Sequence, residues 1–506
     1  MTATRRQFLT AGAAGLVFWR SAFAAQARAP FSSYGALQAA DPRGLMLPPG
    51  FRSREIARAG GTVKGYPWHI FCDGQATFAT GDGGWILVSN SESIAATGAG
   101  SSAIRFAANG TIRSAYRILA GTNANCAGGR TPWGTWLSCE EYDLGHVWEC
   151  APGQAGQGTM RPALGSFNHE AVTVDPVRKQ LYLTEDRPDG ALYRFTPDEY
   201  PDLAAGTLEL MVTGGWAEVP DPAAISTPTR QQVPNTRRFN GGEGIWYDDG
   251  TVYFSTKGDN RIWAYDTVAG TLGTVYDQAQ SNGPLSGVDN LTVSRAGEIF
   301  VCEDGGNMEI CVIEPDGTVA PFLRLTGEAA AGLPGRGNEL TGVIFDPSGD
   351  RLYFGAQRAF GLGAIYEVTG PFAPGTPAPV PKAGRLPVPK RLRLHVRAPR
   401  RISLAALRRR GLPVTVRTGS RARISVALRT DDLDSVPGKR GSERRPFTVT
   451  LARRRFRATH RKLRLRVSPR EARALRAARP LTVQVAVTAR FPNGITRVDV
   501  QRVRVR

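Results

Sequence analysis

The sequence predicts an all-β protein, a six-bladed β-propeller followed by a small immunoglobulin-like β-sandwich. Three observations support this prediction: six repeats of one strand pattern, many turn residues, and a sharp division of charge along the chain. The 506 residues include 58 Gly and 35 Pro, which favours short strands joined by turns. Hydrophobic residues make up 41% and there are nine Trp, which excludes a disordered or fibrous protein. The length exceeds one ordinary domain, so we expect two.

Residues 1–27 are predicted to be a twin-arginine export signal. Arg5 and Arg6 precede an apolar stretch at residues 11–18, and small-residue cleavage sites follow at 22–27. The apolar stretch is too short for a permanent membrane span, and no later segment reaches about 18 uninterrupted apolar residues. We therefore expect no transmembrane segment and export through the twin-arginine pathway to the periplasm, the cell surface or the medium. An ordinary secretory signal with chance arginines is the alternative.

One pattern recurs six times over residues 45–372, a strand of aromatic and aliphatic residues that ends in polar ones. The copies are spaced by 49, 46, 71, 47 and 53 residues, and each has a further strand before and after it. Repeats of this length with several short strands are typical of propeller blades, and a pair of β-sandwiches is the alternative. The copies align on Val88, Leu137, Leu183, Phe254, Val301 and Phe354.

Polar residues at the strand ends indicate where the chemistry lies. In a propeller blade the first strand begins on the face where the second strand ends, so these residues should converge at one mouth of the channel. Carboxylates this close raise each other's pKa, and pairing with arginine or binding of multivalent cations such as Ca²⁺ relieves the repulsion. A solvated acidic rim is the alternative. The residues expected at this mouth are Cys126, Glu140, Glu141, Glu170, Asp186, Glu243, Asp289, Glu303, Asp304 and Glu339.

The cysteines allow two interpretations. Two pairs on neighbouring strands form cross-strand disulfides, or all four residues are separate buried thiols. Cys72 and Cys126 bridge each other, or Cys126 is a thiolate ligand for a transition metal, which would favour iron beside calcium. The two neighbouring pairs are Cys139 with Cys150 and Cys302 with Cys311.

Several motifs resemble those of the PhoX-type alkaline phosphatases. The longest is Asn-Cys-Ala-Gly-Gly-Arg-Thr-Pro-Trp-Gly-Thr-Trp-Leu-Ser-Cys-Glu-Glu at residues 125–141. Shorter ones are Gly-Ser-Phe-Asn-His-Glu-Ala at 165–171, Glu-Asp-Arg at 185–187 and Glu-Leu-Thr-Gly at 339–342. The likeness covers roughly residues 50–371.

The resemblance implies a six-bladed propeller that hydrolyses phosphomonoesters at an iron and calcium cluster. It implies that Cys126 and Glu170 are iron ligands and that Asn123 or Asn125 contacts the phosphate. One departure is Gly241, because many members carry an arginine two residues before the glutamate that corresponds to Glu243. The further metal ligands that it implies are Glu141, Glu243, Asp289, Glu303 and Glu339.

The expected function is therefore a monomeric phosphatase that uses Ca²⁺ and Fe³⁺ on a small phosphoester. Arginine would stabilise charge on the phosphoryl oxygens, and the candidates are Arg187, Arg261 and Arg358, with Lys257 beside them. For each of them, structural pairing with a nearby carboxylate is the alternative. The alternative functions are a calcium-dependent propeller lactonase or esterase, and a non-catalytic calcium-binding propeller module.

The C-terminal part differs in charge from the rest. Residues 381–506 carry 36 Lys and Arg against six Asp and Glu, whereas the preceding residues have a net charge of −10. Residues 373–392 are a Pro-rich linker, and apolar residues alternate with basic ones over 393–506. We expect an immunoglobulin-like domain there, with one helix after Ser468, whose cationic face binds an anionic cell-surface polymer and no specific nucleic acid. A spacer is the alternative.

Overall fold

The protein is all-β in the computed structural model, with several small antiparallel sheets and few short helices. The predicted export signal lies outside the residues that the structure describes. Among the described residues, no helix has the length and apolar character that crossing a bilayer requires. The described residues are 31–156, 158–281, 283–376, 379–386, 394–430, 449–468, 475, 481–491 and 496–506.

Six sheets follow one another along residues 45–369, and we number them by their first strands. In each sheet the first three strands pair antiparallel in chain order. Sheet 1 contains Cys72–Ala79, Trp85–Ser91, Gly100–Phe106 and Ile112–Ala120, and sheet 2 contains Asn125–Arg130, Trp136–Glu140, Val147–Cys150 and Thr159–Met160. Sheet 3 contains His169–Asp175, Gln180–Glu185, Leu192–Glu199, Asp202–Val212 and Gly215–Glu218, and sheet 4 contains Gly242–Asp248, Thr251–Thr256, Arg261–Asp266 and Thr271–Asp277. Sheet 5 contains Val288–Val293, Ile299–Glu303, Glu309–Ile313, Val319–Leu325 and Leu45–Met46, and sheet 6 contains Leu340–Phe345, Arg351–Ala356, Ala364–Thr369 and Arg52–Arg58.

The remaining elements of this region are short. One hairpin joins Thr62–Val63 to Tyr66–Pro67, and two single-turn α-helices occupy Gln278–Ser281 and Glu328–Ala331. The 3₁₀ helices are Ala95–Thr97, Pro162–Leu164, Thr229–Gln231, Lys257–Asp259 and Ala359–Gly361.

The sheets are arranged in a cycle. The first strand of each sheet contacts the first strand of the next, and that of sheet 6 contacts that of sheet 1. The beginning of the chain completes the last two sheets, because Arg52–Arg58 pairs with Ala364–Thr369 and Leu45–Met46 pairs with Val319–Leu325.

A separate hydrophobic cluster fills each gap between consecutive sheets. Every residue of the second strands Trp85–Ser91, Trp136–Glu140 and Ile299–Glu303 is buried, since neighbouring sheets cover both of their faces. Burial on both faces explains why these strands begin with consecutive aromatic and aliphatic residues, without an alternating polar face.

All six cysteines are free and buried, so the structure contradicts the disulfide interpretation. The strand register explains why: Cys139 pairs with Val147, and Cys302 pairs with Ile310. Cys139 packs between sheets 2 and 3, whereas Cys150 packs between sheets 1 and 2. The two cysteines of sheet 5 are also separated, since Cys302 packs between sheets 5 and 6 and Cys311 packs between sheets 4 and 5. On paired strands, two residues whose register positions differ by an odd number point to opposite faces of the sheet.

Part of the Pro-rich linker packs on the first two sheets. Ala79 donates its N–H to Pro381 and accepts from Ala383 N, while Gly384 N donates to Gly134 O at 2.7 Å. This segment therefore runs across the edge of sheets 1 and 2.

The C-terminal region forms one further sheet, which we call the C-terminal sheet, rather than two separate sheets among its described residues. Its core includes Leu404 and Leu407 of the helix Leu404–Arg410, whose first turn is capped by Ser403 Oγ accepting from Ala406 N. The helix expected after Ser468 falls mostly outside the described residues. The strands are Leu394–Arg397, Arg401–Ile402, Leu412–Thr430, Val449–Leu465, Leu481–Arg490 and Thr496–Val505.

Candidate active site

The first strands of the six sheets share one irregularity, a register shift close to the start of the strand. A β-bulge at such a point redirects one side chain out of the regular alternation. In five sheets the shifted segment carries a polar residue suited to metal binding, and we call these the bulge residues. They are Asp73, Cys126, Glu170, Glu243 and Asp289.

A second set of polar residues comes directly after the second strand of each sheet, and we call these the strand-end residues. Because the two strands of each hairpin run antiparallel, the end of the second lies beside the start of the first. The strand-end residues are Glu92, Glu141, Asp186, Lys257, Asp304 and Gln357.

Both sets meet in one buried cluster. The ligand atoms of Cys126, Glu141 and Glu170 lie within 4.8 Å of one another, and Cys126 Sγ is 3.1 Å from Glu170 Oε1. Asp73 and Glu92 form an equally close group with Cys126. On the other side, Glu170 forms a third group with Glu243 and Asp289.

Burial governs the electrostatics of the cluster. Removal from water raises the pKa of Glu170 well above its ordinary value, and the charges of Glu243 and Glu141 raise it further. Burial, followed by the carboxylates around it, likewise raises the pKa of the Cys126 thiol. The cluster therefore favours either protonation of these groups or cations that offset their charge.

Lys257 supplies part of that positive charge. Its Nζ lies 2.8 Å from Glu243 Oε1, 3.2 Å from Asp304 Oδ2 and 3.9 Å from Asp186 Oδ2. These carboxylates raise the pKa of Lys257 although burial opposes them, so the ammonium group stays charged. The side chain is 36% exposed, which leaves it accessible from solvent.

Arg358 supplies the second cation of the described cluster. Its Nη1 lies 3.0 Å from Glu339 Oε1, and residues 339 and 304 form a β-bridge. Gln357 Nε2 donates to Asp73 Oδ2 at 2.6 Å and to Glu92 Oε2 at 2.8 Å, which joins the last sheet to the first.

Two predicted ligands have their carboxylates bound away from this cluster. Glu140 accepts from the backbone N–H groups of Asn123 and His146 and from an arginine of the C-terminal sheet. Glu303 accepts from the backbone N–H groups of Ser286 and Glu309. Each carboxylate holds a loop of its own sheet.

The predicted phosphate-binding residues are also dispersed. Asn125 is fully buried and donates to Ser138 Oγ at 2.9 Å, whereas the side chain of Asn123 accepts from Ala95 N. Arg187 pairs with Asp143. Arg261 pairs with two carboxylates, at 2.8 Å and 2.9 Å. Of the predicted cations, Lys257 is ion-paired with cluster carboxylates, and Arg358 is paired with Glu339, which forms a β-bridge with Asp304 of the cluster. The partners of Arg261 are Asp259 and Asp277.

Sequence reasoning missed Asp73 and Glu92 as ligand candidates. Both occupy the repeat positions that identified the others, Asp73 at the opening of a first strand and Glu92 after a second strand. Extending the ligand set to all six repeats would have found them.

Beyond the cluster, a cavity of about 340 Å³ continues between the first strands of all six sheets. Linker residues 379–381 contribute to its wall. Within it the guanidinium carbon of Arg130 lies 4.7 Å from the ring centre of Trp246, and burial lowers the pKa of Arg130 to about 10.

Comparison with known families gives one match. The family described as alkaline phosphatase PhoX matches residues 88–147, 142–269 and 259–359, which together are more than half of the chain. No curated protein matches the sequence.

Solved structures give weaker likenesses. A structural genomics protein of unknown function from Bacteroides thetaiotaomicron VPI-5482 has a TM-score of 0.41 and 12% identity, covering 63% of this chain and 76% of its own. A nidogen/laminin complex has a TM-score of 0.32 and 13% identity, covering 56% and 94%. At these TM-scores neither supports a conclusion about this chain.

Proposed function

The chain belongs to the alkaline phosphatase PhoX family, and from that premise we propose that it hydrolyses phosphate monoesters at the cluster of bulge and strand-end residues. The family is metal-dependent, and the described residues include groups able to hold metal ions. We further propose that the ions are Ca²⁺ and Fe³⁺. The proposal rests on one observation, that three groups of possible metal ligands are connected. Cys126 belongs to two of these groups, and Glu170 also belongs to two.

The donor atoms fit both metals. The two groups that contain Cys126 combine a thiol with carboxylates, a mixed set that suits a transition metal such as iron. The third group, Glu170 with Glu243 and Asp289, offers oxygen atoms alone, which hard cations such as Ca²⁺ prefer. Glu170 belongs to both kinds of group and would bridge them.

Bound metal ions would supply positive charge for the phosphoryl oxygens and activate an oxygen nucleophile. The residues of the chain orient the substrate. Lys257 is 36% exposed beside the cluster and can donate to a phosphoryl oxygen, and Arg358 beside Glu339 can do the same. Both stay charged at neutral and alkaline pH, since neighbouring carboxylates raise the pKa of each.

The cyclic arrangement supports a further proposal, that the six sheets are the blades of a β-propeller. Each sheet packs on the next through its own hydrophobic cluster, and the first strands surround a common cavity. The cluster of bulge and strand-end residues would then lie at one mouth of the central channel.

Export is also a proposal. The motif around Arg5 and Arg6 supports the twin-arginine pathway, which carries folded proteins and would allow metals to be inserted first. We propose that the mature protein is a monomer in the periplasm, on the cell surface or in the medium.

The C-terminal sheet supports the proposed binding of an anionic cell-surface polymer. Arg457, Arg423 and Arg490 are direct register partners on three adjacent strands, and all three are exposed. Like charges directly opposite one another destabilise a sheet unless an anion offsets them.

The double variant R423Q/R457Q should elute from a phosphocellulose column at lower salt than R408Q/R409Q, which removes two charges from the helix instead. Equal elution would contradict this proposal.

Hydrolysis of p-nitrophenyl phosphate with added Ca²⁺ tests the phosphatase. Glu170→Gln should lower kcat at least about 100-fold, because it removes the carboxylate that joins both kinds of ligand group. Glu209→Gln is the matched control, since Glu209 pairs with Arg194 on outer strands of sheet 3. Turnover unaffected by Glu170→Gln would exclude this site.

Metal analysis of natively exported protein separates the alternative functions. Iron together with calcium supports the phosphatase. Calcium alone, with no turnover of phosphomonoesters, would favour a calcium-dependent lactonase or esterase, or a non-catalytic calcium-binding module.

A further inference from the structure

The geometry points to Arg502, on the last strand of the C-terminal sheet, as a positioning residue for the candidate active site. The basic C-terminal region would then help to hold the active-site residues in position, in addition to the proposed binding of an anionic polymer. The inference deepens the proposed function and depends on it only where activity is the readout.

The C-terminal sheet is docked on sheets 2 and 3 by apolar and polar contacts. Ala427, Ala486, Val498 and Val500 pack on residues 223 and 225, which follow sheet 3 in the chain. Polar contacts surround this apolar patch and are made by side chains of three strands. They are Arg453 Nη2 to Ile225 O at 2.6 Å, Thr488 Oγ1 to Asp221 Oδ1 at 2.7 Å, and an ion pair of Arg497 with Asp198.

Arg502 extends from this interface to a fully buried carboxylate. Its Nη2 donates to both oxygens of Glu140, at 2.8 Å and 3.0 Å, and its Nη1 donates to Gly121 O at 2.9 Å. The guanidinium carbon lies 4.9 Å from the ring centre of Trp148. Glu140 is 0% exposed, so its charge has no access to bulk water.

These contacts connect the two segments that supply ligands from sheet 2. Gly121 begins the loop that leads into Cys126, and Glu140 comes directly before Glu141. The same carboxylate accepts from Asn123 N in the middle of that loop at 3.0 Å. Arg502 and Glu140 together therefore fix the separation between the loop before Cys126 and the strand end that carries Glu141.

In sheet 3 the corresponding buried glutamate is paired with an arginine from the segment that follows the sheet. Glu185 pairs with Arg230 at 2.9 Å, from the connection between sheets 3 and 4. Glu185 also accepts from Ala191 N, as Glu140 accepts from the N–H of its own loop. In sheet 2 the corresponding arginine comes from the C-terminal sheet, so the ligand-bearing part of sheet 2 is incomplete without that sheet.

Loss of Arg502 would leave the Glu140 carboxylate buried with backbone donors and the Tyr142 hydroxyl but no arginine. An uncompensated buried charge is relieved by movement of the segments that surround it. Here those segments are the loop before Cys126 and the end of the strand before Glu141. We therefore expect loosening at Cys126, which is 8% exposed, and not at the cysteines of the other sheets.

The test is the rate at which a thiol reagent labels Cys126 in the full-length protein, resolved by mass spectrometry. Arg502→Gln should raise that rate about tenfold through more frequent local opening, while labelling of Cys311 in sheet 5 stays unchanged. Arg502→Lys should restore most of the protection. In the phosphatase assay Arg502→Gln should raise the Ca²⁺ concentration needed for half-maximal activity.

Two control variants distinguish a specific effect of Arg502 from a general weakening of the interface and from the loss of a positive charge. Arg497→Gln breaks a different ion pair of the same interface, and Arg504→Gln removes an exposed charge from the same strand. Neither should alter labelling of Cys126. If Arg502→Gln folds poorly, Glu140→Gln/Arg502→Gln removes both charges and should recover folding and protection.

Wild-type labelling in Arg502→Gln would overturn the inference, and so would equal effects of Arg497→Gln and Arg502→Gln. A wild-type protein without phosphatase activity would refute the proposed function but leave the labelling experiment intact.

Discussion

Adjacent carboxylates at the ends of the second strands have different partners. In sheets 2, 3 and 5 the last strand residue is a buried glutamate that binds backbone N–H groups of its own sheet. The next residue belongs to the cluster, where Asp186 and Asp304 lie close to Lys257. Successive residues of an extended chain point in opposite directions, so one carboxylate stabilises the sheet and its neighbour serves the site.

In the proposed metal site, Cys126 is the ligand that would favour iron. Cys126→Ser replaces a thiol 3.1 Å from Glu170 with a hydroxyl, which is a poor ligand for iron. The variant should lose most of its iron and keep its calcium, measured by elemental analysis of the purified protein. Retention of iron at the wild-type level would show that the thiol is not a ligand.

His69 makes the folded protein sensitive to acid. It is 5% exposed and lies 3.2 Å from Ser89 Oγ, and burial, then the charge of Arg117, lowers its pKa to about 3. In the unfolded chain its pKa is about 6.5, so the unfolded state binds the proton more readily as the pH falls below that value. Stability from this residue is therefore present above about pH 6.5 and declines towards acid.

The size of this effect can be tested with His69→Gln. Between pH 7 and pH 5 the wild type should lose about 2 kcal/mol of unfolding free energy through His69. The variant should lack that portion, and urea denaturation at both pH values measures the difference between the two proteins. Parallel losses in wild type and variant would mean that His69 does not carry the acid sensitivity.

The ligand types, but not their individual partners, could be predicted from the sequence. The repeat placed Glu170, Glu243 and Asp289 together because each opens a first strand, and the structure brings these three into one group. It could not separate Glu140 from Glu141, since only the strand register decides which of two neighbours faces the site. Nor could it show that Arg261 is held by carboxylates of its own sheet.

At the scale of elements, the bulged first strands depend on close approach between neighbouring sheets. A Cβ added at Gly244 would lie 2.6 Å from Asn290 Cα, and one at Gly74 would lie 2.5 Å from Ala127 Cα. Both glycines follow directly after a bulge residue. The absence of a side chain there lets the first strands approach closely enough for their ligands to share one volume.

Gly244→Ala should therefore destabilise the protein by roughly 1–3 kcal/mol, because backbone on the next sheet must move. Thermal or urea denaturation measures this loss, and elemental analysis should show a lower metal content as the ligand geometry shifts. Gly81→Ala is the control, since nothing lies within 4 Å of a Cβ at that position. A Gly244→Ala protein as stable as the control would refute the close-approach explanation.

Element prediction was more successful where both faces of a strand are buried than where the chain is basic. Strands such as Trp85–Ser91 and Ile299–Glu303 are buried on both faces, so their prediction did not depend on recognising an alternation of apolar and polar residues. The helix Leu404–Arg410 was missed, because it offers only two buried leucines before three arginines, in a region that is rich in basic residues throughout.

At the scale of the whole molecule, the division of charge has a physical basis in both parts. Much of the acidic excess of the first part lies in the cluster, where burial and mutual repulsion raise the pKa of the carboxyl groups and cations would offset their charge. Part of the basic excess of the second part, at Arg453, Arg497 and Arg502, is used to dock that part on sheets 2 and 3.

Removal of metal should consequently weaken the whole fold. Treatment with a chelator should lower the Tm by several degrees, because mutual repulsion among the buried carboxylates then opposes folding. Added Ca²⁺ should restore part of the loss. Glu170→Gln, with one cluster charge fewer, should show a smaller shift, and a chelator without effect on the wild-type Tm would contradict the need for cations.

The pairing of the early strand Arg52–Arg58 with the last strand of the six-sheet region determines when the cycle can close. Arg54 binds Glu367 across 313 positions of sequence, so the strand Arg52–Arg58 has no strand partner until the sixth sheet is made. Until then the edge of that sheet and the apolar gap beside it stay open to other chains. The slow step of maturation should therefore be the joining of the two ends of the cycle, and a nascent chain stalled before residue 364 should be retained by chaperones rather than released as a shorter folded protein.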